Sequence, residues 1–443
     1  MANTIYNIVI WAHSDQQGGT EISCILASVL SRLASSAMKP LSIAIVTPYT
    51  NYVQDFCTSS NITPPFPTIK SPELMRLKKH SDGSVDPDET CNILKKEFIG
   101  DNKLTLLTGR VGHCQWLVQG CIDKDKTLII SCGEPIALKV ASDLGCKGII
   151  VTDHLLTFTI RRVLENGGLL NAEMARLMTT FEGFDRLPRE AFLSPVEFAS
   201  PEYIDYLAQG GLPCIPISGL FYDPIDQTIL QTTEPYKRLI ATAKPMIPGE
   251  HKTPPIVCVF GGGGTVWDEI YYDLHKKAQS GEFAKRSFSL LLKDVANLNG
   301  PGKREVIKGQ WRLYVPGSEL TDGKQLIDPG KLMYWYAASS LLVARGGLAA
   351  QQFLATLLSD ISEVPQMLFI EEPGHPQIES ERLSLYRLGL VHTRTLRGFQ
   401  KNPFDVIEES LSTLPEARPR ARVRYCRDAM ETLCKTILEK YFS

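Results

Sequence analysis

The sequence predicts an α/β fold, because short apolar runs alternate with amphipathic stretches along most of the chain. Runs rich in β-branched residues, such as Ile5–Ala12 and Thr127–Ser131, have the length and composition of buried strands. Glu21–Ala34 and Pro135–Leu144 follow such runs and carry apolar residues at helical spacing. This alternation favours parallel strands in a sheet whose two faces are covered by helices.

The predicted elements fall into two groups of similar size. The first group has strands at Ile5–Ala12, Leu41–Val46, Leu104–Leu107, Leu128–Ser131 and Gly148–Val151, and helices at Glu21–Ala34 and Pro135–Leu144. The second group has strands at Ile256–Phe260, Ser287–Leu292, Gln310–Val315, Leu341–Ala344 and Gln366–Ile370, and helices from Val266, at Gly347–Leu358 and at Ile378–Leu388. Each group has the pattern of a Rossmann-like domain, and a polar helical tail at Pro403–Phe442 follows.

A change in composition separates the two groups. The segment from Tyr222 to Pro255 is rich in Pro, Asp, Thr and Lys and lacks the alternation, which is typical of an interdomain linker. The length of 443 residues fits two domains of this kind. The predicted boundaries are an N-terminal domain over 1–222, a linker over 223–254, a C-terminal domain over 255–402 and a C-terminal helix over 403–443.

Composition and charge exclude several classes of protein. The chain is 43% hydrophobic, which is enough for a packed core, and its formal net charge of -2 argues against a broad nucleic-acid-binding surface. No apolar run reaches the ~20 residues of a membrane span, and the N-terminus lacks the basic segment of a signal peptide. The 11 cysteines include no Cys-x-x-Cys motif, which predicts buried, reduced thiols in a cytoplasmic protein.

The strongest local signal is a glycine run between an apolar strand and a helix. The run consists of Gly261, Gly262, Gly263, Gly264 and Thr265. Four consecutive glycines let the backbone approach a ligand closely, and the amides at the start of the next helix face an anion. The run therefore predicts a phosphate-binding loop, with a plain flexible turn as the alternative. It matches neither the Walker motif nor G-x-G-x-x-G.

A second loop of this kind follows another strand of the same half. Arg345, Gly346 and Gly347 end the strand, and Gln351 and Gln352 lie in the first turns of the helix that follows. Two glycine-capped helix starts in one domain can together hold a diphosphate, and the glutamines can reach a sugar hydroxyl. Arg345 either faces the phosphate or packs at the sheet edge.

A third loop is acidic and rich in proline and glycine. It begins where the strand Gln366–Ile370 ends and carries Glu371, Glu372, His375 and Gln377. Carboxylates and an amide at the carboxyl end of a strand are placed to bond hydroxyl groups in the crevice of the sheet. A capped surface loop is the alternative interpretation.

The order of these motifs resembles the nucleotide-sugar-dependent glycosyltransferases of the two-domain GT-B class, nearest to their MurG-like branch. The match covers residues 255–395 and includes Gln325–Met333 as the segment that would contact the base, through Ile327. The resemblance implies two Rossmann-like domains facing across a cleft, with a C-terminal helix crossing back to the N-terminal domain. It also implies a nucleoside-diphosphate sugar as co-substrate, with uridine as the expected nucleoside, and no metal or other cofactor.

The N-terminal half resembles that class more loosely. The class carries a glycine-rich loop with a histidine and a proline after the first strand, and here the loop is His13–Ile22. Gly18 and Gly19 fit, but Thr20 stands in place of the histidine and Ser23 in place of the proline. The resemblance implies that this domain holds the acceptor, with Gly18, Gly19 and Thr20 among the contacts.

An inverting transfer needs a base that takes the proton of the acceptor hydroxyl. His13 is the first candidate, with Asp15 and Glu21 as substitutes, and a backbone-bonded loop histidine is the alternative interpretation of His13. Asp153 and His154 follow another strand and are predicted on the acceptor side. Asp153 either orients the base or caps a helix.

The predicted function is the transfer of a sugar from a UDP-linked donor to a hydroxyl of a small-molecule or lipid acceptor. Two other interpretations stay open: a nucleotide-sugar epimerase or hydrolase, and a non-catalytic binding or scaffold protein. Two departures from the class favour the non-catalytic interpretation. Gln352 stands where the class usually has a glutamate, and the loop histidine of the class is missing. A nucleic-acid partner is not expected, and the Arg-rich stretch from Arg418 to Arg424 is interpreted as a solvated face rather than a membrane contact.

Overall fold

The chain forms two compact units. The first comprises Met1–Lys78, Val85–Tyr222 and Arg424–Ser443, and the second comprises Lys79–Ser84 and Asp223–Val423. The structure is a computed structural model, and it describes residues 6–13, 17–38, 41–59, 62, 66–80, 84–100, 104–152, 154–188, 190–193, 201–211, 214–216, 254–260, 265–297, 306–316, 339–345, 366–371, 374–376, 378–379, 383, 386, 391–413 and 429–442.

The described part of the first unit contains a parallel sheet of seven strands. These are β1 (Ile8–Ala12), β2 (Ile43–Thr47), β3 (Thr68–Lys70), β4 (Leu128–Cys132), β5 (Lys147–Thr152), β6 (Ala191–Leu193) and β7 (Cys214–Pro216). Their order is β3-β2-β1-β4-β5-β6-β7, with parallel pairing throughout. The chain moves outward from β1 to β3 and returns to β4, so the direction of strand addition reverses between β1 and β4.

α-Helices connect or cover these strands in the described part of the first unit. They are α1 (Gln17–Ser36), α2 (Thr50–Ser59), α3 (Pro87–Leu94), α4 (Thr105–Gln119), α5 (Pro135–Asp143), α6 (Leu156–Asn166), α7 (Ala172–Asp185) and α8 (Pro201–Gly210). Val9, Trp11 and Ile129 on one sheet face pack with apolar residues of α3 to α7. Every residue of β1, β2 and β4 is buried, which is expected of parallel strands covered on both faces.

One predicted strand of this unit is wrong. Leu104–Leu107 begins a helix instead, because Leu104 has a left-handed φ of 70° and α4 starts at the next residue. A short apolar run fits a strand or one turn of a buried helix equally well, and the spacing of the buried residues decides between them. The buried positions of α4 recur every three or four residues, at Leu107, Val111, Cys114 and Val118.

The second unit contains a sheet of six described strands. These are β8 (Ile256–Phe260), β9 (Ser289–Val295), β10 (Val306–Tyr314), β11 (Leu341–Arg345), β12 (Gln366–Glu371) and β13 (Val391–Thr395), in the order β10-β9-β8-β11-β12-β13. All pairs are parallel except β10 with β9, which is antiparallel. Parallel pairing needs a crossover of about a dozen residues or more, and the stretch between Val295 and Val306 is shorter.

The helices described in the second unit are α9 (Thr265–Gln279), α10 (Leu396–Lys401) and α11 (Pro403–Ser412). Tyr271 and Phe399 lie in its core with strand residues such as Val259 and Val343. The direction of strand addition reverses between β8 and β11, as it does between β1 and β4 in the first unit.

The last helix, α12 (Ala429–Phe442), belongs to the first unit. It packs on α1, and Arg32 Nη2 lies 3.2 Å from Glu431 Oε2. The C-terminal helix thus returns to the N-terminal unit, whereas α11 stays with the second. Two Rossmann-like units and a returning helix confirm the predicted fold class.

The described cysteines are all free thiols, and seven of the nine are buried. The burial of most of these thiols agrees with the prediction of core cysteines, and their reduced state stays a prediction. Burial raises the pKa of Cys114 to about 12, so its thiol stays protonated at neutral pH. Among the helices that the structure describes, none has both the length and the apolar character needed to cross a bilayer.

Candidate functional site

The carboxyl ends of β1 and β4 form the switch point of the first unit, the place where open α/β sheets bind ligands. His13 follows β1 directly, and Gly133 follows β4 directly. The two turns touch, because a Cβ added at Gly133 would lie 3.8 Å from His13 Cδ2. Only 5% of the His13 surface is exposed. The histidine chosen as candidate base therefore lies at this switch point.

Gly19 bounds the imidazole of His13 on another side. Gly18 and Gly19 belong to the first turn of α1, not to a loop as the sequence predicted. A Cβ at Gly19 would lie 2.4 Å from Cδ2 and 2.8 Å from Nε2 of His13, closer than real side chains approach. Glycine is required because the helix backbone lies directly against the ring.

His154 is the second imidazole at this place. The ring centroids of His13 and His154 are 6.2 Å apart with an interplanar angle of 69°, and His154 is 9% exposed. The Thr152 hydroxyl donates to the His154 carbonyl oxygen at 2.8 Å. The Leu155 N–H donates to the Tyr203 hydroxyl at 3.0 Å, which satisfies a free amide at the start of α6. The turn that carries His154 is thus held from two sides.

Thr20 and Ser23, the residues that replace the histidine and proline of the glycosyltransferase class, are fully buried. Thr20 Oγ1 lies 2.9 Å from Thr47 Oγ1 at the end of β2. The Ser23 hydroxyl donates to the Gly19 carbonyl oxygen at 2.7 Å and lies 3.3 Å from Cys132 Sγ at the end of β4. Both side chains fix α1 to the sheet, so Thr20 holds the fold rather than presenting its hydroxyl to an acceptor.

Glu21 is not brought together with His13. It lies two residues after Gly19 in α1, which places its side chain about 200° around the helix axis from Gly19. Its Oε1 accepts a hydrogen bond from the Tyr52 hydroxyl of α2. Glu21 therefore faces α2, and of the candidate bases whose positions are described, His13 is the one at the switch point.

Glu134 is a residue of this site that the sequence analysis missed. It follows Gly133, is fully buried, and its Oε1 accepts from the Ile136 N–H at 3.4 Å as the N-cap of α5. A carboxylate at this position is stabilised by the positive end of the helix dipole. The signal was available, because a capping residue followed by Pro135 after an apolar strand marks a helix start.

The three predicted donor loops of the second unit start from neighbouring strands. Ala344 pairs with Phe260, the last residue before the glycine run, and Arg345 pairs with Ile370, next to Glu371. Arg345 and Glu371 are half-buried at the ends of β11 and β12. Two of the three loops thus start at the switch point between β8 and β11, and the third starts at the end of the neighbouring strand β12.

Other predicted donor residues differ in how they are held. Thr265 is the first residue of α9. His375 is fully buried, and its carbonyl oxygen accepts from the Glu379 N–H at 2.9 Å. Gly374 has a left-handed φ of 76°, and its N–H donates to Glu379 Oε1 at 2.8 Å. Glu379 therefore closes the turn after β12 and keeps the His375 side chain inside the unit.

The remaining predicted site residues lie outside the described residues. In the N-terminal half these are Asp15 and Asp153. In the C-terminal half they are Gly261, Gly262, Gly263, Gly264, Ile327, Gly346, Gly347, Gln351, Gln352, Glu372 and Gln377. The described part of the chain contains no group of three His, Cys, Asp or Glu side chains placed to bind a metal ion.

Comparison with solved structures identifies the fold. The glycotransferase of kitacinnamycin aligns with a TM-score of 0.51 and 11% identity over 98% of both chains. Phytolacca americana UGT2, complexed with UDP-2-fluoro-glucose and pterostilbene, aligns with a TM-score of 0.51 and 11% identity over 98% of this chain and 99% of its own.

A third solved structure is a Listeria monocytogenes protein described as a UDP-N-acetylglucosamine 2-epimerase. It aligns with a TM-score of 0.51 and 11% identity over 99% of this chain and 97% of its own. No protein-family model and no curated protein sequence matches the chain. At such low identity the structural likeness establishes a shared fold, which is the GT-B fold that the motif order predicted.

Proposed function

We propose that this protein is a glycosyltransferase that moves a sugar from a nucleoside-diphosphate sugar to a hydroxyl of a small-molecule or lipid acceptor. The observation that carries the proposal is the imidazole of His13, held between Gly19 and Gly133 at the switch point of the first unit. A nearly buried imidazole at a ligand-binding crevice is suited to accept a proton.

The donor is assigned to the second unit. Its three loops start from adjacent strand ends, and the glycine run leads into α9, a helix of 15 residues. Amides at a helix start and the guanidinium of Arg345 offset the charge of a leaving diphosphate, so the proposed reaction needs no metal. The UDP-sugar in the Phytolacca americana structure supports a uridine nucleotide as the first choice.

The proposed reaction is a single inverting displacement. The acceptor oxygen forms a bond to the anomeric carbon while the bond from that carbon to the diphosphate oxygen breaks. The proton of the acceptor hydroxyl passes to an imidazole nitrogen of His13, and the nucleoside diphosphate leaves with the electron pair of the broken bond.

A binding screen followed by kinetics tests this proposal. We expect one of a set of UDP-, GDP- and TDP-sugars to raise the melting temperature of the full chain. With that donor, His13→Gln should lower turnover by about 10²- to 10⁴-fold and leave the donor-induced shift unchanged. His113→Gln, at an exposed histidine of α4, is the matched control and should retain activity.

Two results would contradict it. If His13→Gln kept full turnover, His13 would not be the base. If no sugar nucleotide shifted the melting temperature, the donor site would be refuted.

An epimerase or hydrolase is the second candidate, supported by the Listeria monocytogenes structure. Incubation with the sugar nucleotide alone separates the candidates, because a transferase should leave most of the donor intact without an acceptor. Epimerised sugar or rapid release of nucleoside diphosphate would favour the second candidate. Tight binding without turnover under any condition would favour a binding protein.

A further inference from the structure

His13 and His154 are close enough to influence each other's protonation. Their ring centroids are 6.2 Å apart, and the two residues are 5% and 9% exposed. At such a separation a like charge disfavours the charged form of its neighbour. With an effective dielectric constant of about 20, one protonated ring should lower the proton affinity of the other by about one to two pH units.

The turns that carry the two rings are closely packed. Gly133 has a positive φ of 94°, and a Cβ there would lie 3.1 Å from Thr152 Oγ1 and 3.3 Å from the His154 carbonyl oxygen. Gly19 lies against the ring of His13. The hydroxyl of Tyr203 accepts from the amide that follows His154. The ring of His13 is therefore bounded by the backbone of α1, and the backbone of the turn that carries His154 is held by Thr152 and Tyr203.

The adjoining turns and the first turns of α1 and α6 contain three other titratable groups among their described residues. They are Glu21, Cys132 and Glu134. Glu21 accepts from the Tyr52 hydroxyl on α2, and Glu134 accepts from the Ile136 N–H of α5. Both carboxylates are thus engaged with neighbouring helices.

We propose that His13 and His154 form a coupled pair that holds at most one proton near neutral pH. His154 acts as a positioning residue that keeps one imidazole of the pair neutral at a pH where an isolated histidine would be charged. The catalytic benefit rests on the proposed transfer reaction, because a base must be neutral to accept a proton, but the coupled titration does not depend on it.

Nuclear magnetic resonance of the histidine rings in the full-length protein tests the pair. In the wild type the two rings should titrate in two steps separated by at least about one pH unit. In His13→Gln and in His154→Gln the remaining ring should titrate in a single step. His113→Gln removes an exposed histidine and should leave both steps unchanged.

The proposal is overturned if each ring titrates in one step at the same pH with and without its partner. It is also overturned if neither ring titrates in the wild type or in either variant. Folding of each variant is checked by its amide spectrum. His154→Asn replaces His154→Gln if that variant does not fold, and His13→Gln tests the coupling reciprocally.

A kinetic measurement tests the proposed positioning role of His154. The acidic limb of the pH profile of kcat/KM should move up by about one pH unit in His154→Gln. A purely structural role would lower the rate at every pH without moving that limb, and this result would overturn the positioning role. A coupled titration without any detectable transfer would support the pair and refute the proposed function instead.

Discussion

The switch points of the two units differ in the chemistry that they carry. In the first unit, two imidazoles and a capping carboxylate follow the strand ends, and Gly19 makes room for the ring of His13. In the second unit, the glycines themselves follow the strands β8 and β11, with Arg345 beside them. In the proposed reaction the first switch point supplies the base and the second binds the diphosphate, so one sheet plan would serve two kinds of chemistry.

A similar contrast exists between buried titratable groups of the two units. Burial raises the pKa of Asp185 in the first unit to about 7, with a smaller opposing effect from the Thr157 hydroxyl. Burial lowers the pKa of His275 in the second unit to about 4. Burial favours the neutral form of each group, but one is an acid and the other a base. The contributions of these two groups to the stability of their units should therefore change with pH in opposite directions.

The largest effect is expected at Asp185, whose pKa rises from 3.8 to about 7 on folding. The contribution of the protonated Asp185 to the stability of the folded chain is complete below about pH 4. It is lost as the pH rises to 7, because the folded chain must then hold a buried charge. Asp185→Asn should raise the stability of the first unit by up to about 4 kcal/mol at pH 8 and by little at pH 4. Calorimetry of wild type and variant at both pH values measures the difference.

The control for Asp185 is Glu202→Gln, at an exposed carboxylate of α8. It should change stability by less than about 0.5 kcal/mol at either pH. An Asp185→Asn variant with the same stability difference at pH 4 and pH 8 would show that Asp185 is ionised in the folded chain.

His275 should show the opposite dependence. Its Nε2–H donates to the Lys293 carbonyl oxygen at 2.8 Å, so its Nδ1 accepts from the Tyr314 hydroxyl, also at 2.8 Å. With a pKa lowered from 6.5 to about 4, its contribution is present above pH 6.5 and is lost as the pH falls to 4.

His275→Gln should therefore be less stable than the wild type at pH 7. Between pH 6.5 and 4 the free energy of unfolding should fall less in the variant than in the wild type, by up to about 3 kcal/mol. The unfolding of the second unit measures this difference. An equal loss in both proteins over that range would mean that His275 is not the group that titrates.

Gly19→Ala tests whether the position of His13 depends on the bare helix backbone. The added methyl would lie 2.4 Å from the ring, so the ring must shift. A shift of this size should lower turnover by about 100-fold with the donor-induced melting shift retained. Gly109→Ala in α4 is the matched control, since its Cβ meets nothing within 4 Å, and it should stabilise the protein by up to about 1 kcal/mol. Equal activity of the two variants would refute the role of Gly19.

The smallest effect is expected for Tyr203→Phe. It removes the acceptor of the Leu155 N–H at the start of α6 and should cost the first unit about 1 kcal/mol. If His154 depends on this bond, its titration should also change in the variant. An unchanged stability and titration would show that Thr152 alone holds the turn.

Most of the fold could be predicted from the sequence, and the reasons are visible in particular elements. Strands such as β1 and β8 are continuous apolar runs and β4 is nearly so, and a glycine or histidine directly follows each of them. The start of α4 could not be predicted, because a run of four residues with three leucines fits either a strand or a helix turn. The antiparallel β10 was missed because a local apolar run carries no information about strand direction.

The candidate site divides in the same way. The sequence placed His13, His154 and the three donor loops after strand ends, because parallel strands bring their carboxyl ends to one edge. It could not tell that Glu21 faces α2, that Thr20 is buried against Thr47, or that the capping residue Glu134 is fully buried. Those contacts depend on how the helices pack against each other and against the sheet.

The sequence by itself thus determined two Rossmann-like units and the residue types at their switch points, since hydrophobic periodicity and glycine positions act over a few neighbouring residues. Only the tertiary structure decided that Gly19 lies against His13, that the ring of His13 lies 6.2 Å from that of His154, and that α11 stays with the second unit. Burial and distances between charges depend on contacts between residues far apart in the chain, and such contacts leave no local pattern.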